Sequence, residues 1–159
     1  MMFMVSIDSS TKKTGMALFI GGRMSTYTLI DLSKIKDVNE RIDKMCLDII
    51  KQLSKWSPSV VYIEEPKGEG RNVELVRKLS EILGAVRAWC LTHGSDYVEV
   101  KPSVWRKYVG IEQGNKKRDE LKQASIDYVY RKHGVVVNDD VADSICIGSA
   151  MINKYGGKG

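Results

Sequence analysis

Met4-Val5-Ser6-Ile7-Asp8-Ser9-Ser10, followed by Thr14-Gly15, is the stretch on which the fold turns. An apolar run ends on an acid, small hydroxyl residues follow, and Thr14-Gly15 leads into a second apolar run, Gly15 to Gly21 (GMALFIG). Residues 2–8 read as a buried strand, 15–21 as its neighbour and 23–31 (RMSTYTLID) as a third. Gly21-Gly22 between the last two is a hairpin signal, so the chain opens with a three-stranded meander.

Beyond the meander the period changes. Val38, Ile42, Met45, Ile49, Leu53 and Trp56 recur at steps of three and four, which predicts a helix over 38–56, ended by Ser57-Pro58. Residues 59–64 (SVVYIE) read as a short β-branched strand of the kind found inside parallel sheets. A loop is expected over 66–70, then a helix over 72–92 with Val76, Leu79, Leu83, Val86 and Cys90 as its stripe. A strand at 96–100, a short helix from Pro102 to Tyr108, a loop over 110–115, a basic helix over 116–132 and a last helix capped by Asn138 and reaching Lys154 complete the chain. This order predicts an α/β fold with a five-stranded mixed sheet, antiparallel meander first and parallel strands after, and helices on both faces. One domain is expected over 1–155, with a flexible tail at 156–159.

Composition narrows the classes. With 43% hydrophobic and 28% charged residues the chain is an ordinary globular one. No apolar run is long enough to span a membrane, and the apolar N-terminus lacks a basic lead and a cleavage site, so a cytoplasmic protein is expected. Cys46, Cys90 and Cys146 are odd in number and far apart, which predicts reduced core thiols, not a zinc or disulfide site. The net charge of +5 is concentrated. Lys101, Arg106, Lys107, Lys116, Lys117, Arg118 and Lys122 face three acids within 22 residues, and seven minus three leaves +4 in one segment. Such a segment can track phosphates, although a solvated helix face is a common alternative for a basic run.

The acids carry the chemistry. Asp8 ends the first strand, Glu64-Glu65 end the fourth, and Asp139-Asp140 with Asp143 open the last helix. Asp140 and Asp143 are spaced i and i+3, so both carboxylates leave one face of the helix. Asp139 has the plainer role of complementing the helix dipole. Asp143 stands among Val141, Ala142 and Ile145, where a carboxylate needs a partner. Taken singly, a strand-end acid is often only a surface residue. As a set, these acids offer the all-oxygen donors that Mg²⁺ or Mn²⁺ prefers, and two such ions can hold both the attacking and the leaving oxygen of a phosphodiester.

These same residues resemble the motifs of RuvC Holliday junction resolvases. Met4 to Ser10 with Thr14-Gly15 resembles their opening motif, Val61-Tyr62-Ile63-Glu64-Glu65 their second, and Asp140-Val141-Ala142-Asp143-Ser144-Ile145 their third. Pro102 to Gly110 with Lys116-Lys117 resembles their basic segment. The matches run in order along nearly the whole chain, whose length is nearest the phage and poxvirus branch. Ser9, Ser144 and Trp105 depart from the bacterial pattern of Pro, Ala and a basic residue.

The resemblance implies an RNase H-like fold, a homodimer, a site for two divalent ions (Mg²⁺ or Mn²⁺), and paired nicking of four-way DNA junctions that leaves 5′-phosphate ends. By position it implies Asp8, Glu64, Asp140 and Asp143 as catalytic metal ligands, with Glu65 as the alternative to Glu64, and Lys116 as the catalytic lysine. DNA binding falls to Lys101, Arg106, Lys107, Lys116, Lys117, Arg118 and Lys122. The second helix, with Trp89, is the candidate dimer interface, against a plain core role for that tryptophan. Three other readings stand beside this one. An actin-like ATPase would need a second phosphate loop, which is missing; the others are a nuclease for RNA–DNA hybrids or flaps, and a junction-binding protein without catalysis.

Overall fold

Strand β1 (Phe3–Asp8) lies at the centre of the sheet because both of its faces are buried. Met4 and Ser6 pack toward one layer of helices, Val5 and Ile7 toward the other. The computed structural model describes residues 1–66 and 72–156. The loop expected over 66–70 therefore lies outside the described residues except for Pro66, and so does the tail beyond 156.

β1 pairs antiparallel with β2 (Lys13–Ile20), which pairs antiparallel with β3 (Arg23–Asp31). On its other side β1 pairs parallel with β4 (Val60–Glu64), which pairs parallel with β5 (Asp96–Val100). The order β3-β2-β1-β4-β5 is the mixed five-stranded sheet expected from the sequence. Gly21 and Gly22 both take positive φ, 58° and 81°, which is why two glycines stand in this hairpin turn.

Helices α1 (Val38–Trp56) and α2 (Val73–His93) cover the face that carries Val5, Ile7, Val61 and Ile63. Helices α3 (Pro102–Tyr108), α4 (Arg118–His133) and α5 (Asp139–Gly156) cover the opposite face. Asp37 caps α1 through the Glu40 N–H, and Asn72 caps α2 through the Leu75 N–H. Arg41 is buried in α1 and donates from Nε to the Thr11 carbonyl at 2.9 Å and from a terminal nitrogen to the Ile35 carbonyl at 2.8 Å. It therefore clamps the loop that follows Asp8 to the loop that precedes α1, where a buried cation would otherwise lack partners.

The structure amends several sequence expectations. Lys116 and Lys117 precede α4 instead of opening it, and Lys117 takes an extended backbone there. Gly156 closes α5 and is not part of a tail. Val76 and Leu79 are only half-buried, whereas Ile82 and Trp89 join the core stripe of α2. Trp89 is 4% exposed; its indole N–H donates to Ser54 Oγ at 3.0 Å and its ring stacks on His93. It belongs to the core between α1 and α2 and cannot anchor a partner from that position. The three thiols are free, Cys90 and Cys146 buried and Cys46 half-buried. Burial pushes the Cys90 thiol up to about 11 and raises the other two, which leaves all three inert near neutrality.

Candidate active site

Alternation along two strands and one pairing register assemble the first half of the site. Met4 and Ser6 face α5, so Asp8 does too. On β4, Val60 and Tyr62 face α5, so Glu64 follows them and Glu65 is turned to the other side. The parallel register sets Ser6 beside Tyr62 and Ile7 beside Ile63, so the next step brings Asp8 level with Glu64. The open choice between Glu64 and Glu65 is thus resolved in favour of Glu64 as the neighbour of Asp8. The main-chain N–H of Glu65 continues the ladder to β5 by donating to the Val100 carbonyl at 2.9 Å.

The second half is the N-terminus of α5. Asn138 caps it, accepting from the Val141 N–H at 2.9 Å. Ser6 Oγ donates to the Ser144 carbonyl at 2.6 Å and so fixes the helix over β1. Ser144 in turn donates to the Val141 carbonyl at 2.7 Å. Both serines are fully buried, and neither leaves its hydroxyl without a partner.

Gly15 explains the Thr-Gly of the opening motif. It pairs with Asp8 across the β1–β2 ladder, and a Cβ there would collide with the main-chain carbonyl of Asp140. The absent side chain is what lets α5 descend far enough for Asp140 and Asp143 to approach Asp8. Gly15→Ala is expected to cost about 2–3 kcal/mol of stability by overpacking against backbone. It is also expected to suppress any metal-dependent activity out of proportion to that loss. Denaturant unfolding and a cleavage assay on the folded variant measure the two effects separately.

The electrostatics bear the mark of enforced proximity. Asp8 is held well above the usual carboxylate range, first by burial and then by the charge of Glu64, a hydrogen bond shared with Glu64, and the charges of Asp143 and Asp140. Asp143 is pushed up to about 7, chiefly by burial. The Ser125 dipole and the Arg106 charge act in the opposite direction, while Glu64 and Asp139 raise it further. Asp140 is raised by burial and by Asp139, with Lys13 and Lys122 opposing. Each of the four acids stays partly open to solvent. Asp139 belongs elsewhere. It forms an ion pair with Lys122 at 2.9 Å, which holds its carboxyl below the usual range and points it at α4.

Asp8 and Asp143, each raised by burial and further by neighbouring acid charges, are a cost that a cation can offset. All four candidate donors are oxygen, the kind that Mg²⁺ and Mn²⁺ prefer. Among the described residues no group of three or more His, Cys, Asp or Glu side chains stands close enough in this structure to hold a metal ion. By kind and charge, four carboxylates suit a divalent cation, and the raised carboxyls of Asp8 and Asp143 are the observation that points to one.

The basic residues divide by position. Lys101, Lys107, Lys116, Lys117 and Arg118 are exposed, free to meet a polyanion. Lys116 makes a turn, its N–H donating to the Gln113 carbonyl at 2.9 Å, and its side chain is at the surface. The cations whose fields reach the acids are Arg106, acting on Asp143, and Lys13 and Lys122, acting on Asp140. Sequence reasoning missed Lys13 altogether. It also missed Trp105 and Ser125 as neighbours of the acids, since nothing in a Pro-led short helix or in a lone serine signals such a role.

No family model matches this chain, and no curated relative does. Solved structures do match. RuvC of Thermus thermophilus, in complex with Holliday junction substrate, superposes with a TM-score of 0.75 at 18% identity, covering 100% of this chain and 97% of that one. A second RuvC structure from the same organism gives 0.74, also at 18% identity, covering 99% of this chain and 97% of that one. The yeast mitochondrial Holliday junction resolvase Ydc2 gives 0.64 at 14% identity, over 94% of this chain and 77% of that one. The fold is therefore the RNase H-like fold of these proteins, as the sequence motifs implied.

Proposed function

We propose that this protein is a divalent-metal-dependent endonuclease that resolves four-way DNA junctions. The observation that carries the reading is the convergence of Asp8, Glu64, Asp140 and Asp143 where β1, β4 and the N-terminus of α5 meet. Similarity over the whole length to a RuvC structure whose description includes a Holliday junction substrate supports the substrate class.

Asp8, on which the charges of Glu64, Asp143 and Asp140 all act, would hold two divalent ions together with those three acids. Bound ions would supply an activated water nucleophile and neutralise charge on the phosphate. The chain's own part is to hold four oxygen donors on rigid elements, two on adjacent strands and two on one helix turn. The exposed cations from Lys101 to Arg118 would meet the DNA backbone, with Lys116 the candidate to reach the cleaved phosphate. Each phosphate contact should weaken binding by roughly one log unit per log unit of salt.

A two-fold dimer suits a junction of near two-fold symmetry, since it places two such sites on opposing strands. Trp89 being core, the side chains left to mediate it are the exposed apolar ones on the α1–α2 layer: Val38, Leu47, Val73, Leu75 and Leu91. Among the described residues no helix is long and apolar enough to cross a membrane. A cytoplasmic setting, where DNA is at hand, completes the proposal.

The test is a cleavage panel: a synthetic four-way junction, a flap, an RNA–DNA hybrid and a linear duplex, each with Mg²⁺ or with chelator. Symmetric nicks in the junction, dependent on Mg²⁺ and leaving 5′-phosphates, are the expected result. Glu65→Gln should cut as the parent does and Glu64→Gln should not. Preferential cutting of the hybrid or the flap would move the substrate, and junction binding without cutting in any metal would reduce the protein to a binding module.

A further inference from the structure

Helix α3 contributes no acid, yet it borders the carboxylates. Trp105 is completely buried, and its indole N–H reaches Glu64 Oε1 at 3.4 Å, a long hydrogen bond. The face of the same ring carries the guanidinium of Arg106, 4.9 Å from the ring centroid. Arg106 acts electrostatically on Asp143 but, among the described residues, forms no direct ion pair with it. Its Nε is buried and has no hydrogen-bond partner. The only other buried side-chain polar atom in that condition among the described residues is Ser125 Oγ, and the Ser125 hydroxyl also acts on Asp143. Buried donors are rarely left without partners, and here both residues act on one carboxylate.

Resting on the nuclease reading above, we propose that Trp105 is a positioning residue that aligns the two sides of the reaction. Its N–H holds Glu64 as a ligand, and its ring face holds Arg106 where the guanidinium can meet a phosphate oxygen. Three features support the assignment. The indole is locked by complete burial, so it can orient a neighbour without moving itself. Glu64 ends β4, and the Trp105 indole is the side-chain donor that reaches its carboxylate among the described residues. Arg106 stacks on a rigid plane instead of closing onto Asp143, which keeps its planar fork of donors available. Hydrogen bonds of this kind often tighten when the ligand arrives, and a 3.4 Å length leaves room for that.

Trp105→Phe preserves the ring and its burial but removes the N–H. Calorimetric titration of the full chain with Mn²⁺, without DNA, should show binding about tenfold weaker in Trp105→Phe than in the parent. Its melting temperature without metal should stay within a few degrees of the parent, and saturating Mn²⁺ should restore most of its junction cleavage. Equal Mn²⁺ affinity in parent and variant would overturn the positioning role while leaving the nuclease reading intact. No Mn²⁺ binding by the parent would overturn both.

Should Trp105→Phe fail to fold, the parent protein answers instead. Labelled at its indole nitrogens, it should show the Trp105 N–H resonance moving on Mg²⁺ addition while those of Trp56 and Trp89 stay still. Glu64→Gln should abolish that movement. A Trp105 resonance indifferent to Mg²⁺ would also overturn the proposal.

Discussion

Asp8→Asn will bind a four-way junction as the parent does and will fail to cut it. The substitution keeps the shape of the side chain and removes one negative charge from the centre of the carboxylate set. Asp8 is the acid on which Glu64, Asp143 and Asp140 all act, so its substitution is expected to disable the proposed metal site as a whole. A fall in cleavage of about a thousandfold or more is expected. Binding should survive because the residues assigned to the DNA backbone lie in the basic segment from Lys101 to Lys122, not on the acids. Gel-shift titration in Ca²⁺ and single-turnover cleavage in Mg²⁺ measure the two separately. Parallel loss of binding and cutting would make Asp8 a structural acid.

Without divalent ions, stability will fall as pH rises from about 4 to above 7. The sign follows from the direction of the shifts. An unfolded aspartate releases its proton near its ordinary value of 3.8, whereas folded Asp143 holds one to about 7 and folded Asp8 is raised as well. Across that window the native state binds more protons than the unfolded state. The site's contribution is therefore favourable below the unfolded value and is lost as pH climbs through the folded one. For Asp143 the loss is on the order of a few kcal/mol at most, because the group is only partly shielded from solvent.

Two consequences follow for thermal unfolding. Asp143→Asn should flatten the decline and raise the melting temperature of the metal-free protein at pH 8 by several degrees. Mg²⁺ should stabilise the parent far more at pH 8 than at pH 5, where protons already occupy the carboxylates. A metal-free parent as stable at pH 8 as at pH 5, with no response to Mg²⁺, would show that the acids do not form one repelling set.

The sequence made the strand-and-helix order legible because each element carries its own period and its own stop. Val38 to Trp56 reads as a helix, and is one, since its stripe and its Ser57-Pro58 end lie within the segment itself. Which acids meet was legible only in outline. Motif order pointed to Asp8, Glu64, Asp140 and Asp143, but the choice of Glu64 over Glu65 depends on the register between β1 and β4, which no local pattern encodes. Along α2 full burial begins at Ile82, with Val76 and Leu79 half-buried, because burial depends on what packs against the helix and not on the stripe alone. Trp105 was noticed as a departure from a motif, while its contact with Glu64 spans 41 positions and appears only in the folded chain. Gly15 could be quoted from the motif but not explained, since its reason is the approach of α5 from more than a hundred residues away.

Four carboxylates from three elements are proposed to share divalent cations. Crystals of the protein soaked in Mn²⁺, with anomalous diffraction collected near the manganese edge, test it directly. Anomalous peaks bounded by Asp8, Glu64, Asp140 and Asp143 are expected, and they should disappear in crystals of Asp8→Asn. Manganese bound only elsewhere, with these four acids turned apart, would contradict it.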